Sequence, residues 1–181
     1  MYYKKYESER LYLSPICVDD YQTYVRWLND ESLASGLGNF AMNITETSEK
    51  EWLDSCNRKG AYNFSIIRKE DNKLIGNYGL EVKSEISRRF HVGGFIGEVS
   101  DRGKGYGTEA LQLITKYAFE ILNAQTVFSG IYAFNGGSLK AAIKAGYTNI
   151  GDARDAHYYN GKFWNQHNVE ITRSEYENSK N

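Results

Sequence analysis

Apolar residues recur along this chain with two periods. Between Gly105 and Leu122 they fall at Ala110, Leu111, Ile114, Tyr117, Ala118, Ile121 and Leu122, the spacing that turns one face of a long helix into a core. Shorter helical patterns run from Asp19 to Leu28 with Tyr21, Tyr24, Val25 and Leu28, and from Thr47 to Asn57 with Trp52, Leu53 and Cys56. A last one runs from Ser138 to Ala145, where Gly146 supplies a C′ stop. Strand patterns occupy Glu9 to Leu13, Asn63 to Arg68, Leu74 to Val82 after a turn at Asp71-Asn72, Phe90 to Ile96, Thr126 to Tyr132, Tyr147 to Ile150, and Phe163 to Ile171. Order and count predict an α/β fold with a mixed sheet of about seven strands and about four helices.

Composition narrows the reading without changing it. With 181 residues, 41% of them hydrophobic, the chain can bury one core and is expected to form a single domain over 1–181, its tail from Ser174 to Asn181 loosely held. A net charge of −1 with dispersed basic residues argues against a nucleic-acid partner. No apolar run approaches the ~20 residues of a membrane span, and Met1 to Glu7 lack a signal-peptide core, so no membrane association and a cytoplasmic location are expected. Cys17 and Cys56 make no ligand spacing with each other or with His91, His157 and His167, so no metal is expected. Fifteen tyrosines are read as lining half-buried sheet faces.

Candidate chemistry begins at Arg102-Gly103-Lys104-Gly105-Tyr106-Gly107-Thr108-Glu109-Ala110, where three alternating glycines stand between a strand and the long helix. Such a loop lets the backbone turn tightly while the helix presents its positive end, so it predicts a bound phosphate or pyrophosphate. A Walker loop fails on spacing: five residues separate Gly97 from Gly103, and Gly105 follows Lys104. A dinucleotide fingerprint fits Gly105 to Ala110 but lacks its acidic partner, because Ile121 to Gly151 contains no Asp or Glu. The remaining pattern, R-x-x-G-x-G at Arg102, Gly105 and Gly107, resembles the acyl-CoA loop of the GNAT N-acetyltransferase superfamily.

Three further blocks carry the resemblance: Glu9-Arg10-Leu11-Tyr12-Leu13; Tyr24-Val25-Arg26-Trp27-Leu28-Asn29-Asp30; and Asn135, Ser138, Lys144-Ala145-Gly146-Tyr147 with Tyr159-Asn160-Gly161-Lys162. Together with Gly94 to Ala110 and Tyr117-Ala118-Phe119, they are similar to the branch containing ribosomal-protein, spermidine and amino-sugar acetyltransferases. The resemblance implies a mainly antiparallel sheet splayed between its fourth and fifth strands. It also implies acetyl-CoA as acyl-donor cosubstrate and a small-molecule or peptide amine as acceptor, in a monomer or homodimer. By the same resemblance Phe95, Ile96 and Gly97 meet the pantetheine arm, Arg102, Gly103, Lys104, Gly105, Tyr106, Gly107 and Thr108 cradle the pyrophosphate, and Asn135 and Lys144 contact the cofactor.

Acetyl transfer to nitrogen needs an unprotonated amine, a stabilised oxyanion and a proton for the leaving thiolate. His157 is the candidate base, at the place where the similar ribosomal-protein enzymes carry a glutamate. Ser138 is the candidate acid and equally fits a helix N-cap. The tyrosine acid of many relatives is absent, its position matching Ala142, which keeps a CoA-binding sensor as the alternative. The acceptor is expected near Trp27, Asp30, Glu31, Asn39, Phe40 and Glu81.

Overall fold

The computed structural model describes residues 1–180. In chain order the elements are β1 (Tyr6–Glu7), β2 (Leu11–Pro15), α1 (Tyr21–Leu28), α2 (Glu31–Leu37), α3 (Glu46–Ser55), β3 (Tyr62–Arg68), β4 (Lys73–Ser84), β5 (Arg89–Ile96), α4 (Tyr106–Glu120), β6 (Thr126–Tyr132), α5 (Gly136–Lys144), β7 (Thr148–Tyr159), β8 (Lys162–Thr172) and α6 (Arg173–Asn178). Short 3-10 turns at Val18–Asp20 and Val99–Asp101 lead into α1 and the glycine loop.

All eight strands join one sheet in the order β1-β2-β3-β4-β5-β6-β8-β7. Every neighbouring pair is antiparallel except β5 and β6. That parallel pairing is short: Arg89, Phe90 and His91 lie opposite Thr126, Val127 and Phe128, after which no pairing continues. The sheet is therefore splayed where the resemblance implies, and Val92 to Ile96 present an edge with no strand beside it.

The alternation within the strands feeds two apolar layers. Leu11, Leu13, Ile75, Val92 and Ile96 face α4 and α5, meeting Ala110, Ile114 and Ala118. Tyr12, Ile67 and Leu74 face the other way, toward Tyr24, Trp27, Leu28 and Leu53. Complete burial of Ile114 alone is worth about 2 kcal/mol.

The structure adds elements that the periodicity does not predict. β1 is two residues long, too short for any alternation. α2 begins at Asp30, whose side chain accepts the Ser32 N–H at 2.9 Å, and ends at Gly38 with φ 79°. β7 continues through Tyr159 and turns at Asn160-Gly161, both with positive φ (51° and 79°), as two-residue hairpins require. The tail also carries an element. Thr172 and Glu175 form a capping box that starts α6, Tyr176 stacks on Phe119 at 4.6 Å, and Arg173 donates to the carbonyl of Ala124 at 2.6 Å. Lys180 pairs with Glu120, so the segment is docked; Asn181 lies outside the described residues.

No helix among the described residues is long and apolar enough to cross a membrane.

Candidate active site

The unpaired stretch of β5 lines a cavity of about 40 Å³ with Tyr78, Ser129, Ile131, Ser138 and Tyr147. Gly94 is needed there: a β-carbon on it would stand 2.3 Å from the Tyr78 ring and 2.4 Å from the Asn77 carbonyl. The direction of the peptide groups follows from strand parity. The Gly97 N–H donates to the Ile75 carbonyl at 2.9 Å, and the Phe95 carbonyl points at Gly76 across β4. Phe95 and Gly97 thus spend their backbone on β4, and Gly94 and Ile96, one residue out of phase, turn theirs toward the opening. The Phe95 ring lies on the face away from α4, edge-on to Tyr24 and Trp27.

The glycine loop has the shape of an anion cradle. Gly103 (φ 76°) and Gly105 (φ 85°) take left-handed conformations that disfavour a β-carbon. Gly105 caps α4 without a side-chain hydrogen bond, so the first-turn N–H groups, at Tyr106, Gly107 and Thr108, have no side-chain acceptor. Left-handed glycines and uncapped N–H groups are the donor set that an anion such as a pyrophosphate requires.

The Arg102 guanidinium points elsewhere, donating to the carbonyls of Ile96 (3.3 Å) and Gly97 (2.9 Å) and to the Ser32 hydroxyl (3.0 Å). It ties the loop to the end of β5. Arg68 braces the loop from below, donating to the buried Asp101 at 2.6 Å. Lys104 and Lys144 are exposed, Lys104 on the loop and Lys144 at the C-terminal end of α5.

On α5 the roles of two predicted residues separate. Asn135, not Ser138, is the N-cap, its Oδ1 accepting the Ser138 N–H at 3.2 Å. Ser138 is the third residue of the helix and lines the cavity. Tyr147, deeply buried, shares a 2.6 Å hydrogen bond with Thr115, and burial pushes its phenol well above the usual range.

His157 stands on the opposite face. Ile131 lines the cavity, so its neighbour Tyr132 points away from α4, and the His157 ring stacks on Tyr132 at 3.9 Å with an interplanar angle of 16°. Phe40 meets His157 edge-on at 5.7 Å and Tyr159 at 5.1 Å, while the Tyr159 hydroxyl donates to Glu31 at 3.2 Å. Nε2 of His157 is enclosed with no hydrogen-bond partner among the described residues. A bulge delivers this side chain: Ala153 pairs with Gln166 and His157 with Trp164, leaving Arg154 to Ala156 opposite Asn165 alone.

Of the expected acceptor wall, Glu31 and Phe40 are here. Trp27 is core at 2% exposure. Asp30 caps α2, the Asn39 N–H closes its last turn on Ala34, and Glu81 pairs with Lys83 far along β4. Sequence alone does not single out Tyr132 and Tyr78; the alternation of their strands is the available signal.

A family model described as an acetyltransferase (GNAT) domain matches residues 10–148. The chain belongs to the GNAT acetyltransferase family. A probable N-acetyltransferase, YjcK, of Bacillus subtilis is 34% identical over 122 residues, covering 66% of this chain and 65% of that protein, just under two thirds of its length. Spermidine N-acetyltransferase from Vibrio cholerae, solved with CoA and spermine, shares the GNAT fold at a TM-score of 0.83 and 18% identity, covering 93% of this chain and 99% of that one. Ribosomal-protein-S5-alanine acetyltransferase from Vibrio fischeri aligns at 0.78 and 19% identity over 92% and 95%. The loop and Ser138 lie on the α4 side of the sheet, and His157 lies on the other.

Proposed function

We propose that this GNAT chain is an acetyl-CoA-dependent N-acetyltransferase that acts in the cytoplasm on a primary amine by direct transfer in a ternary complex. The observation that carries this is the opening between β5 and β6, with the uncapped start of α4 on one face of the sheet and, on the other face, a histidine whose Nε2 has no hydrogen-bond partner among the described residues.

The cosubstrate supplies a thioester acyl group, and the chain does the rest. First-turn N–H groups of α4 hold the pyrophosphate, and the peptide groups of Gly94 and the N–H of Ile96 hold the arm as an added strand would. A peptide N–H at the same edge polarises the thioester carbonyl. His157 takes the proton from the attacking amine as the C–N bond forms, and Ser138 returns a proton to the sulfur as the C–S bond breaks. Lys144 and Lys104 add positive charge near the cofactor phosphates. Protein N-termini, polyamines and amino sugars all fit a site with one carboxylate, Glu31, beside an aromatic wall.

Thiol release from acetyl-CoA on adding members of these amine classes tests the proposal. Ala142, at the position where the resemblance implies a tyrosine acid in many superfamily members, favours a second reading as a CoA-binding sensor, which binding without release across the panel would select.

A further inference from the structure

We infer that Arg10 is a direct ligand of the pyrophosphate, an inference that rests on the cradle proposed above. Arg10 lies just before β2, and its guanidinium is pinned over the start of α4. Nε donates to Glu109 at 2.7 Å, Nη1 donates to the Lys104 carbonyl at 3.2 Å, and the group sits 4.6 Å over the Tyr106 ring. Nη2 has no partner among the described residues and stands 3.3 Å from the position of a β-carbon on Gly105.

This placement sets a cation against the positive end of a helix. Glu109 offsets one charge, accepting from the backbone and Nε of Arg10 and from Ser8 (2.7 Å). Lys104 adds a further cation on the loop, offset by the Asp101 carboxylate at 3.9 Å, and the uncapped N–H groups and the free Nη2 are left as donors with no acceptor among the described residues. A planar guanidinium held in this way is oriented for phosphate oxygens before any ligand arrives.

Calorimetric titration of the wild type, Arg10→Gln, Arg10→Lys and Glu109→Gln with CoA, 3′-dephospho-CoA and pantetheine tests this. The expected result is a loss of about ten-fold or more for Arg10→Gln with CoA and 3′-dephospho-CoA alike. Pantetheine binding should be unchanged, Arg10→Lys should lose less, and Glu109→Gln should bind CoA at least as tightly as the wild type. Equal CoA affinity in wild type and Arg10→Gln overturns the inference. So does a loss confined to CoA, which would move the contact to the 3′-phosphate, or an equal loss in Glu109→Gln, which would make Arg10 a loop brace. If the wild type binds neither nucleotide, the cradle itself is wrong. Should Arg10→Gln fail to fold, the Arg10→Lys and Glu109→Gln titrations decide: equal losses in the two overturn the inference.

Discussion

Gly97→Ala tests how β5 is held at the mouth of the opening. A β-carbon there would stand 2.1, 2.3 and 2.5 Å from three atoms of the Trp27 indole. Ordinary contact begins at 3.4 Å, so ring and strand must separate by 3.4 − 2.1 = 1.3 Å. Trp27 has little room to yield: it is 2% exposed and packs edge-on against Phe95 at 6.1 Å and Tyr24 at 5.6 Å. Overpacking of this kind costs about 1–3 kcal/mol, and three simultaneous ring contacts place this site near about 3 kcal/mol. For a chain of this length that lowers Tm by about 6–12 °C. Thermal and urea unfolding of Gly97→Ala, Trp27→Leu and the double variant form the assay. Trp27→Leu alone leaves a cavity and costs about 2–3 kcal/mol. In the double variant the alanine methyl enters that space, so the combined loss should fall short of the sum by about 1 kcal/mol or more. A Gly97→Ala Tm within about 2 °C of wild type, or losses additive within about 0.5 kcal/mol, would refute the packing argument.

Two further outcomes follow from buried and unpartnered groups. Glu49 is 3% exposed, has an unpartnered carboxyl oxygen among the described residues, and burial pushes its pKa up to about 7 from 4.5. A folded value above the unfolded one means stability that is fully present below about pH 4.5 and lost as pH rises through about 7. Glu49→Gln should therefore be the more stable protein at pH 8, by on the order of 1–3 kcal/mol, with the advantage gone at pH 4.5; a pH-independent difference in urea unfolding counts against it. His157→Ala should slow thiol release at neutral pH and regain rate as pH approaches the amine's own pKa, about 10.4 for a lysine-like nitrogen. A profile parallel to wild type removes His157 as base.

The parts of the fold that sequence makes legible are those with long, regular burial. Apolar residues at helical spacing define α4, and β6 matches its predicted bounds, Thr126 to Tyr132. α6 is nearly all polar, so hydrophobic pattern misses it, yet Thr172-x-x-Glu175 is a capping box in plain sequence. The Asn160-Gly161 pair likewise announces the hairpin that extends β7. The site is legible where backbone geometry demands glycine, at Gly103 and Gly105, and less so where function depends on parity. One residue of phase decides whether Phe95 and Gly97 or Gly94 and Ile96 face the opening, and only the pairing with β4 fixes that. Trp27 reads as part of the acceptor wall, but in the fold it is core, packed edge-on against Phe95 from a distant strand. Arg10 is a strand-edge charge until the fold brings α4 beneath it.

Initial rates of thiol release with acetyl-CoA and the best amine varied together test the central claim most directly, that both substrates meet across the β5–β6 opening. The account predicts intersecting double-reciprocal lines, and loss of release in Gly105→Glu, whose carboxylate would fill the cradle. Parallel lines, the mark of an acyl-enzyme formed before the amine binds, or full activity in Gly105→Glu would contradict it.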